Sequence, residues 1–410
     1  MTQSVLLIAY TIDPKGGSEP KIAWNNFVIT QSLNVHTHIV TNQFCIRSFQ
    51  NFAKTSDFSG YTIHQVSIPK IFGYIPSILG DYLKYVIWLR RAKKTVNKIV
   101  LSHEITLGHH VSLGNLALGS PLCDSNIQYI FGPAGGGTKK IASSFTAHNL
   151  IFQVNEFARS LVMRVIRLFP FSTQSLTNAS IVLATNKDSY DYALNAGAKN
   201  IDYLLSDAIE NELILPFRHY NSTNHVLWAG RFLRRKAPLD AVEAFKNVKS
   251  RIPDIRMTMV GNGPLFKRVA KEIEKYGLSD SILLKNRIDW HELLELMTVS
   301  KCILFTSHRD SFGSQILEAA ARGTPSVTHS GISALEWLNK PSVFFHSTDG
   351  KLGEIDDLTE SLFTCLALDE EQWLLSSKAA LDFANRHSTS RLRQEILKHY
   401  QKISVDIGKI

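Results

Sequence analysis

Short apolar, β-rich runs recur along this chain, and longer stretches with apolar residues at helical spacing separate them. In the first half the runs are Val5–Tyr10, His38–Thr41, Tyr61–Ile68, the segment before His109, Ile127–Phe131, Ile181–Ala184 and Ile201–Leu205. In the second half they are His225–Ala229, Ile255–Val260, Ser281–Leu284, Cys302–Thr306, Pro325–Thr328 and Ser342–Phe345. Strand–helix alternation of this kind predicts parallel sheets covered by helices on both faces. Two such sets predict two doubly wound α/β domains. The periodicity breaks over Leu205–Asn224, at Pro216 and the polar run Asn221–Asn224. This places an N-terminal domain at 1–210, a second at 211–385, and a C-terminal helix at 386–410, with the N-terminal domain as its candidate partner. In open α/β sheets ligands sit beyond the carboxyl ends of the strands, so segments that follow strands are where chemistry is sought.

Composition narrows this picture only slightly. The chain has 410 residues, enough for two ordinary domains, with 44% hydrophobic and 20% charged residues. Its four cysteines are far apart and form no C-x-x-C pair, which fits a reducing compartment. The start, MTQSVLLIAYTIDP, has no basic leader and no small-residue cleavage site, so it reads as a first strand rather than a signal. No segment approaches the roughly 20 apolar residues of a membrane helix. A cytoplasmic protein is expected. The net charge of +9 asks for an anionic partner: nucleic acid, anionic lipid or a phosphorylated substrate.

Four segments of the second half follow strands. Ala229–Lys236 carries Gly230, Arg231 and Lys236; the glycine allows a sharp turn, and the two cations can converge on a pair of phosphates. The same cluster also reads as a solvated basic loop. Val260-Gly261-Asn262-Gly263-Pro264 offers either close ligand approach or an ordinary turn. Asn286-Arg287-Ile288 is a weaker signal. Ser307–Gly323 is the strongest: Gly313 and Ser314 open a helix that Gly323 closes, and Asp310 and Glu318 are separated by seven residues. Exposed N–H groups and the helix dipole make such a start an anion site. Glu318, four residues after Ser314, faces the same side. Carboxylates beside a phosphate site suit sugar hydroxyls, which points to a nucleotide-sugar.

Over residues 225–330 the chain resembles the C-terminal domain of the retaining GT-B glycosyltransferases, family four of the sequence-based classification, or glycosyl transferases group 1. That family carries Gly-Arg-…-Lys after the domain's first strand, Val-Gly-x-Gly-Pro after the second, and Glu-x7-Glu ending in a glycine-closed helix; all three occur here in order. The resemblance implies two Rossmann-like domains facing a deep interdomain cleft. It implies that Arg231 and Lys236 hold the diphosphate, in a donor pocket that includes Gly230, Gly261, Phe312 and Gly313. Ser314 and Gln315 would supply phosphate-binding N–H groups, Glu318 would bind the ribose, and backbone near Arg287 and Ile288 would meet the base. Asp310 stands where the first glutamate is usual, and Ser311 where a proline follows it, so the transferred sugar or its seat is expected to differ.

The resemblance extends into the first half. Gly16-Gly17-Ser18-Glu19-Pro20 matches a Gly-rich turn that approaches phosphate or acceptor through its backbone, with Glu19 on the acceptor side. His109-His110-Val111-Ser112 and Gly132-Pro133-Ala134-Gly135-Gly136-Gly137 match two further stretches of a family subset. In the family a histidine near this place lines the donor–acceptor junction, which makes His109 and His110 candidates; base rates favour a packing role for such a residue. Gly135, Gly136 and Gly137 serve either acceptor contact or a tight turn.

The implied activity is transfer of a sugar from a UDP- or GDP-linked donor, with retention, to a glycan or lipid-linked acceptor of the cell-surface polysaccharide type. No cofactor beyond the co-substrate is implied, and nucleic acid is not an expected partner. No D-x-D occurs, so a metal bridging the diphosphate is not indicated. The alternatives are another nucleotide-sugar enzyme of this scaffold, such as an epimerase, or a non-catalytic basic binding protein, which leaves Asp310 and Glu318 unexplained. Two basic amphipathic stretches, Tyr82–Val100 and Phe157–Phe169, either lie on an anionic membrane at its inner face or pack on a sheet with solvated charges.

Overall fold

Val5, Leu6, Leu7, Ile8 and Ala9 are all fully buried, as a strand covered on both faces must be. They form β1 (Ser4–Ala9), an inner strand of a parallel sheet. The computed structural model describes residues 4–14, 18–55, 58–69, 78–113, 115–135, 170–220, 222–330, 332–338, 342–344 and 354–403. Around β1 lie β2 (His36–Asn42), β3 (Tyr61–Val66), β4 (Ile105–Ser112), β5 (Tyr129–Ala134), β6 (Ile181–Ala184) and β7 (Ile201–Tyr203), in the order β3-β2-β1-β4-β5-β6-β7. The covering helices are α1 (Ser18–Gln31), α2 (Ile46–Thr55), α3 (Ile78–Ser102), α4 (Pro170–Thr177) and α5 (Lys187–Asn195).

The second sheet contains β8 (His225–Ala229), β9 (Arg256–Val260), β10 (Ile282–Lys285), β11 (Cys302–Phe305), β12 (Ser326–Thr328) and β13 (Val343–Phe344), in the order β10-β9-β8-β11-β12-β13, again parallel. Its helices are α6 (Pro238–Lys249), α7 (Phe266–Lys275), α8 (Trp290–Val299), α9 (Ser314–Ala321), α10 (Glu354–Leu366) and α11 (Glu370–Arg386). The last helix, α12 (Thr389–Ile403), belongs to the first unit. The chain thus divides into one unit from described residues up to 208 together with 389–403, and another from 209 to 388.

Side chains alternate across each strand and build a core on each face. From β1, Leu6 and Ile8 pack with Trp88 and Val96 of α3, while Val5 packs with Ile130, Ile396 and Tyr400. In the second unit Val226 and Trp228 meet Ala241, Phe245 and Val248 of α6 and Leu358 and Leu362 of α10.

α3 settles one question left by the sequence. Its apolar stripe, Tyr85, Trp88, Leu89, Ala92, Val96 and Ile99, is buried in the unit's own core. Trp88 has no exposed surface, so these residues are not an apolar face for a bilayer. Arg90, Arg91, Lys94 and Lys98 remain exposed on the outer side. The second basic stretch, Phe157–Phe169, lies outside the described residues. No helix among the described residues is long and apolar enough to cross a membrane.

Several histidines are built in as neutral groups. Burial, reinforced by His103, His36 and His64, pushes His38 down to about 4. Burial likewise lowers His64, His225 and His387. In the unfolded chain these rings titrate near 6.5, so between about pH 6.5 and 4 the unfolded state binds more protons. Stability is therefore complete above that window and falls as pH drops through it. Urea midpoints are expected to be flat from pH 7 to 8 and to decrease steadily below about 6.5; a midpoint that rises on acidification contradicts this.

Candidate functional site

The order of the second sheet reverses between β8 and β11, and at such a switch point the loops leaving the two strands part to form a crevice. Here those loops are 230–237 and 306–313. They are stitched to each other before any ligand is considered. His308 N–H and Ser307 Oγ donate to the Arg235 carbonyl at 2.9 and 3.2 Å. Thr306 Oγ1 donates to the carbonyls of Lys236 and Ala237 and accepts from Trp228 Nε1 at 2.9 Å. A 3-10 turn at Arg234–Lys236 then directs two cations at one carboxylate.

That carboxylate is Asp310. Arg235 Nη1 donates to its Oδ1 at 2.8 Å, and Lys236 Nζ donates to its Oδ2. Burial alone would raise the Asp310 carboxyl, but the charges of Lys236 and Arg235, with hydrogen bonds from Lys236 and Ser307, hold it below the ordinary carboxylate range. Lys236 also lies over the Phe305 ring, 5.3 Å from its centroid. Arg235 donates to the Arg309 carbonyl at 3.2 Å as well. Arg231, the cation expected beside Lys236, is exposed and outside this pairing. Arg235 is the residue that sequence reasoning missed, because three consecutive basic residues do not reveal which one a short turn points inward.

Gly313 precedes α9 with φ of +115°, and a Cβ there would lie 2.5 Å from the Phe305 ring. No side chain caps α9, so N–H groups of its first turn, Ser314 and Gln315 among them, face an open end suited to an anion. Phe312 is buried and anchors this approach. One turn into the helix, Glu318 Oε1 accepts from Trp290 Nε1 of α8 at 3.0 Å. Trp290 is a second residue the sequence did not single out; it fixes the carboxylate opposite the helix start. Arg287 is exposed and Ile288 half-buried in the loop between β10 and α8.

The glycines after β8 and β9 serve each other. A Cβ on Gly261, at φ +141°, would stand 1.9 Å from the Gly230 carbonyl oxygen, and one on Gly263 would stand 2.7 Å from that of Phe232. For Gly261 the structure shows a close loop–loop approach. Gly261→Ala is expected to cost about 1–3 kcal/mol through overpacking, a fall in Tm of several degrees. An unchanged Tm by calorimetry would contradict that contact.

In the first unit the candidate residues are not brought together in the same way. His109 and His110, adjacent on β4, point to opposite faces. His109 Nε2 donates to the Gly132 carbonyl at 2.6 Å, and its Nδ1 accepts from the Tyr400 hydroxyl at 2.8 Å. Burial, only partly offset by the Gly132 bond, pushes it down to about 3. Both ring nitrogens are committed and no surface is exposed. His110 stacks on Phe131 at 5.0 Å, meets Tyr85 at 3.2 Å, and is 1% exposed. Its ring too is a packing element of the sheet. Glu19 is half-buried at the start of α1, and Gly135 is buried after β5. Gly16, Gly17, Gly136 and Gly137 lie outside the described residues.

Residues 211–346 match the model of the family described as glycosyl transferases group 1. An N-acetyl-alpha-D-glucosaminyl L-malate synthase of Bacillus anthracis is 27% identical over 179 residues, 43% of this chain. The match covers 44% of that relative, so the chain spans less than half the length of the curated protein it resembles. Among solved structures, Alr3699/HepE of Anabaena in complex with UDP superposes with a TM-score of 0.63, covering 98% of this chain and all of that one at 15% identity. WaaG, a glycosyltransferase involved in lipopolysaccharide biosynthesis, has a TM-score of 0.59 over 96% of this chain and 99% of its own at 13% identity. The two parallel-sheet units are those of the GT-B fold, and residues 211–346, about a third of the chain, are similar to the glycosyl transferases group 1 family.

Proposed function

We propose that this protein is a glycosyltransferase that takes a sugar from a nucleotide-sugar and passes it to an acceptor hydroxyl with retention of configuration. The observation that carries this reading is the Arg235–Lys236–Asp310 cluster beside the uncapped start of α9, with Glu318 one turn further on. Departure of the nucleoside diphosphate leaves negative charge on the β-phosphate. Lys236, Arg235, Arg231 and the N–H groups of Ser314 and Gln315 stabilise that charge by electrostatics, so the diphosphate needs no bridging metal. Asp310 accepts hydroxyls of the transferred sugar, and Glu318, held by Trp290, accepts those of the ribose. The backbone around Arg287 and Ile288 receives the base. UDP is the first nucleotide to test, since the Anabaena structure holds it; GDP is the second. A glycan or lipid-linked glycan is the acceptor. Attraction of the exposed α3 cations to anionic headgroups would bring the protein to a lipid-linked acceptor through charge alone.

A panel of UDP-, GDP- and ADP-sugars read by thermal shift identifies the donor, because a ligand that binds only the folded state raises Tm. Transfer assays with and without acceptor then separate this reading from an epimerase. Glu318→Ala is expected to weaken the bare nucleoside diphosphate by about 10- to 100-fold, the loss of a charged hydrogen-bond acceptor. Unchanged affinity by calorimetry would show that Glu318 does not hold the ribose.

A further inference from the structure

Three side chains meet at the carboxyl ends of the second sheet: Asp240 in the first turn of α6, His308 in the loop after β11, and His329 directly after β12. One carboxylate oxygen and one nitrogen from each ring all lie within 4.8 Å of one another, and all three residues are buried. The donor reading gives them no task.

Ordinary hydrogen bonding does not account for them either. His308 Nε2 stands 3.0 Å from Asp240 Oδ2. Yet the two are not aligned as a hydrogen bond, and among the described residues neither that oxygen nor His308 Nδ1 has a hydrogen-bond partner. Buried polar atoms left this way are costly unless something else satisfies them. His329 Nε2 faces the Thr306 carbonyl at 3.2 Å; with the proton there, Nδ1 is a lone pair. The two rings lie 5.2 Å apart between centroids.

We propose that Asp240, His308 and His329 bind one divalent transition-metal ion, with Zn²⁺ as the fitting ion. Two imidazoles and a carboxylate are a nitrogen–oxygen set that zinc accepts. Mg²⁺ and Ca²⁺ take oxygen ligands and fit poorly. An ion here ties the start of α6 to the ends of β11 and β12, and so fixes the two loops that carry Lys236 and Asp310. Its role is structural, and the proposal does not depend on which nucleotide the crevice binds.

The test uses the full chain, stripped with chelator and then given one equivalent of Zn²⁺, Co²⁺ or Mg²⁺. The expected result is one Zn²⁺ per chain by elemental analysis after desalting, a higher Tm with Zn²⁺ but not Mg²⁺, and visible absorption bands with Co²⁺. His329→Gln and Asp240→Asn are each expected to weaken Zn²⁺ binding by at least about 100-fold, the upper range for loss of a mere outer-shell partner, and to abolish the Tm gain. The competing site is the histidine group of the first unit, where the His36, His64 and His103 rings lie 4.8, 5.2 and 4.4 Å from that of His38. A His64→Gln/His103→Gln double variant is therefore measured alongside, and retention of Zn²⁺ in it is expected. Zn²⁺ lost in that variant but kept in His329→Gln and Asp240→Asn overturns the proposal. So does a wild-type chain that binds no stoichiometric ion or shows no Co²⁺ bands, a result that does not depend on whether the variants fold.

Discussion

Lys236→Ala is expected to lower kcat/KM by about two to three orders of magnitude, the usual loss when a group that meets transition-state charge is removed. Lys236 is the more buried of the two cations on Asp310, with side-chain exposure of 11% against 33% for Arg235, and the drier charge acts with less screening. Arg235→Ala should therefore cost less than Lys236→Ala, and Arg231→Ala, an exposed position, least of all. The check is steady-state kinetics with the donor that the thermal-shift panel selects. Wild-type kinetics in a folded Lys236→Ala variant would remove this residue from the reaction.

Asp310→Asn has the second-largest expected effect, about 100-fold in turnover. The substitution keeps shape and removes charge, and a charged acceptor contributes more than a neutral one. Affinity for the bare nucleoside diphosphate should change by much less. Loss of the carboxylate removes the ion pairs to Arg235 and Lys236, and both side chains keep their positive charge for phosphate. Calorimetric titration decides between two roles. If nucleotide binding disappears with the charge, Asp310 acts as the anchor of the cations rather than as a partner of the transferred sugar. Asp310→Glu adds about one methylene of reach, and an altered ranking of donor sugars is the expected consequence.

The inner strands were legible as apolar runs, because a strand buried on both faces shows its burial in every residue, as β1 does. Helix α9 was legible for a different reason: Gly313 and Gly323 both have positive φ, +115° and +66°, and mark its two ends. What stayed hidden depends on contacts between segments distant in sequence. Arg235 reaches Asp310 across 75 positions and Trp290 reaches Glu318 across 28. No local pattern distinguishes these side chains from other exposed basic or aromatic residues. The surroundings of His109 and His110 were hidden in the same way. Their doublet matches a family stretch, but the alternation of β4 turns one ring toward Tyr400 and the other toward Tyr85, and both become part of the core. The basic stripe of α3 had two readings in sequence, and only packing shows that its apolar side is used up within the unit.

The hydrogen bond between His109 and Tyr400 joins residues 291 positions apart. It carries a consequence for how the chain is made. A core that needs Leu392, Ile396 and Tyr400 stays open on one side of its sheet until residue 400 has been made. The second unit has no such debt to the C-terminus beyond residue 388, and units generally fold as they emerge during synthesis. The half of the protein made first is therefore the half finished last, and a chain that stops near residue 388 carries the second unit joined to a first unit that lacks α12.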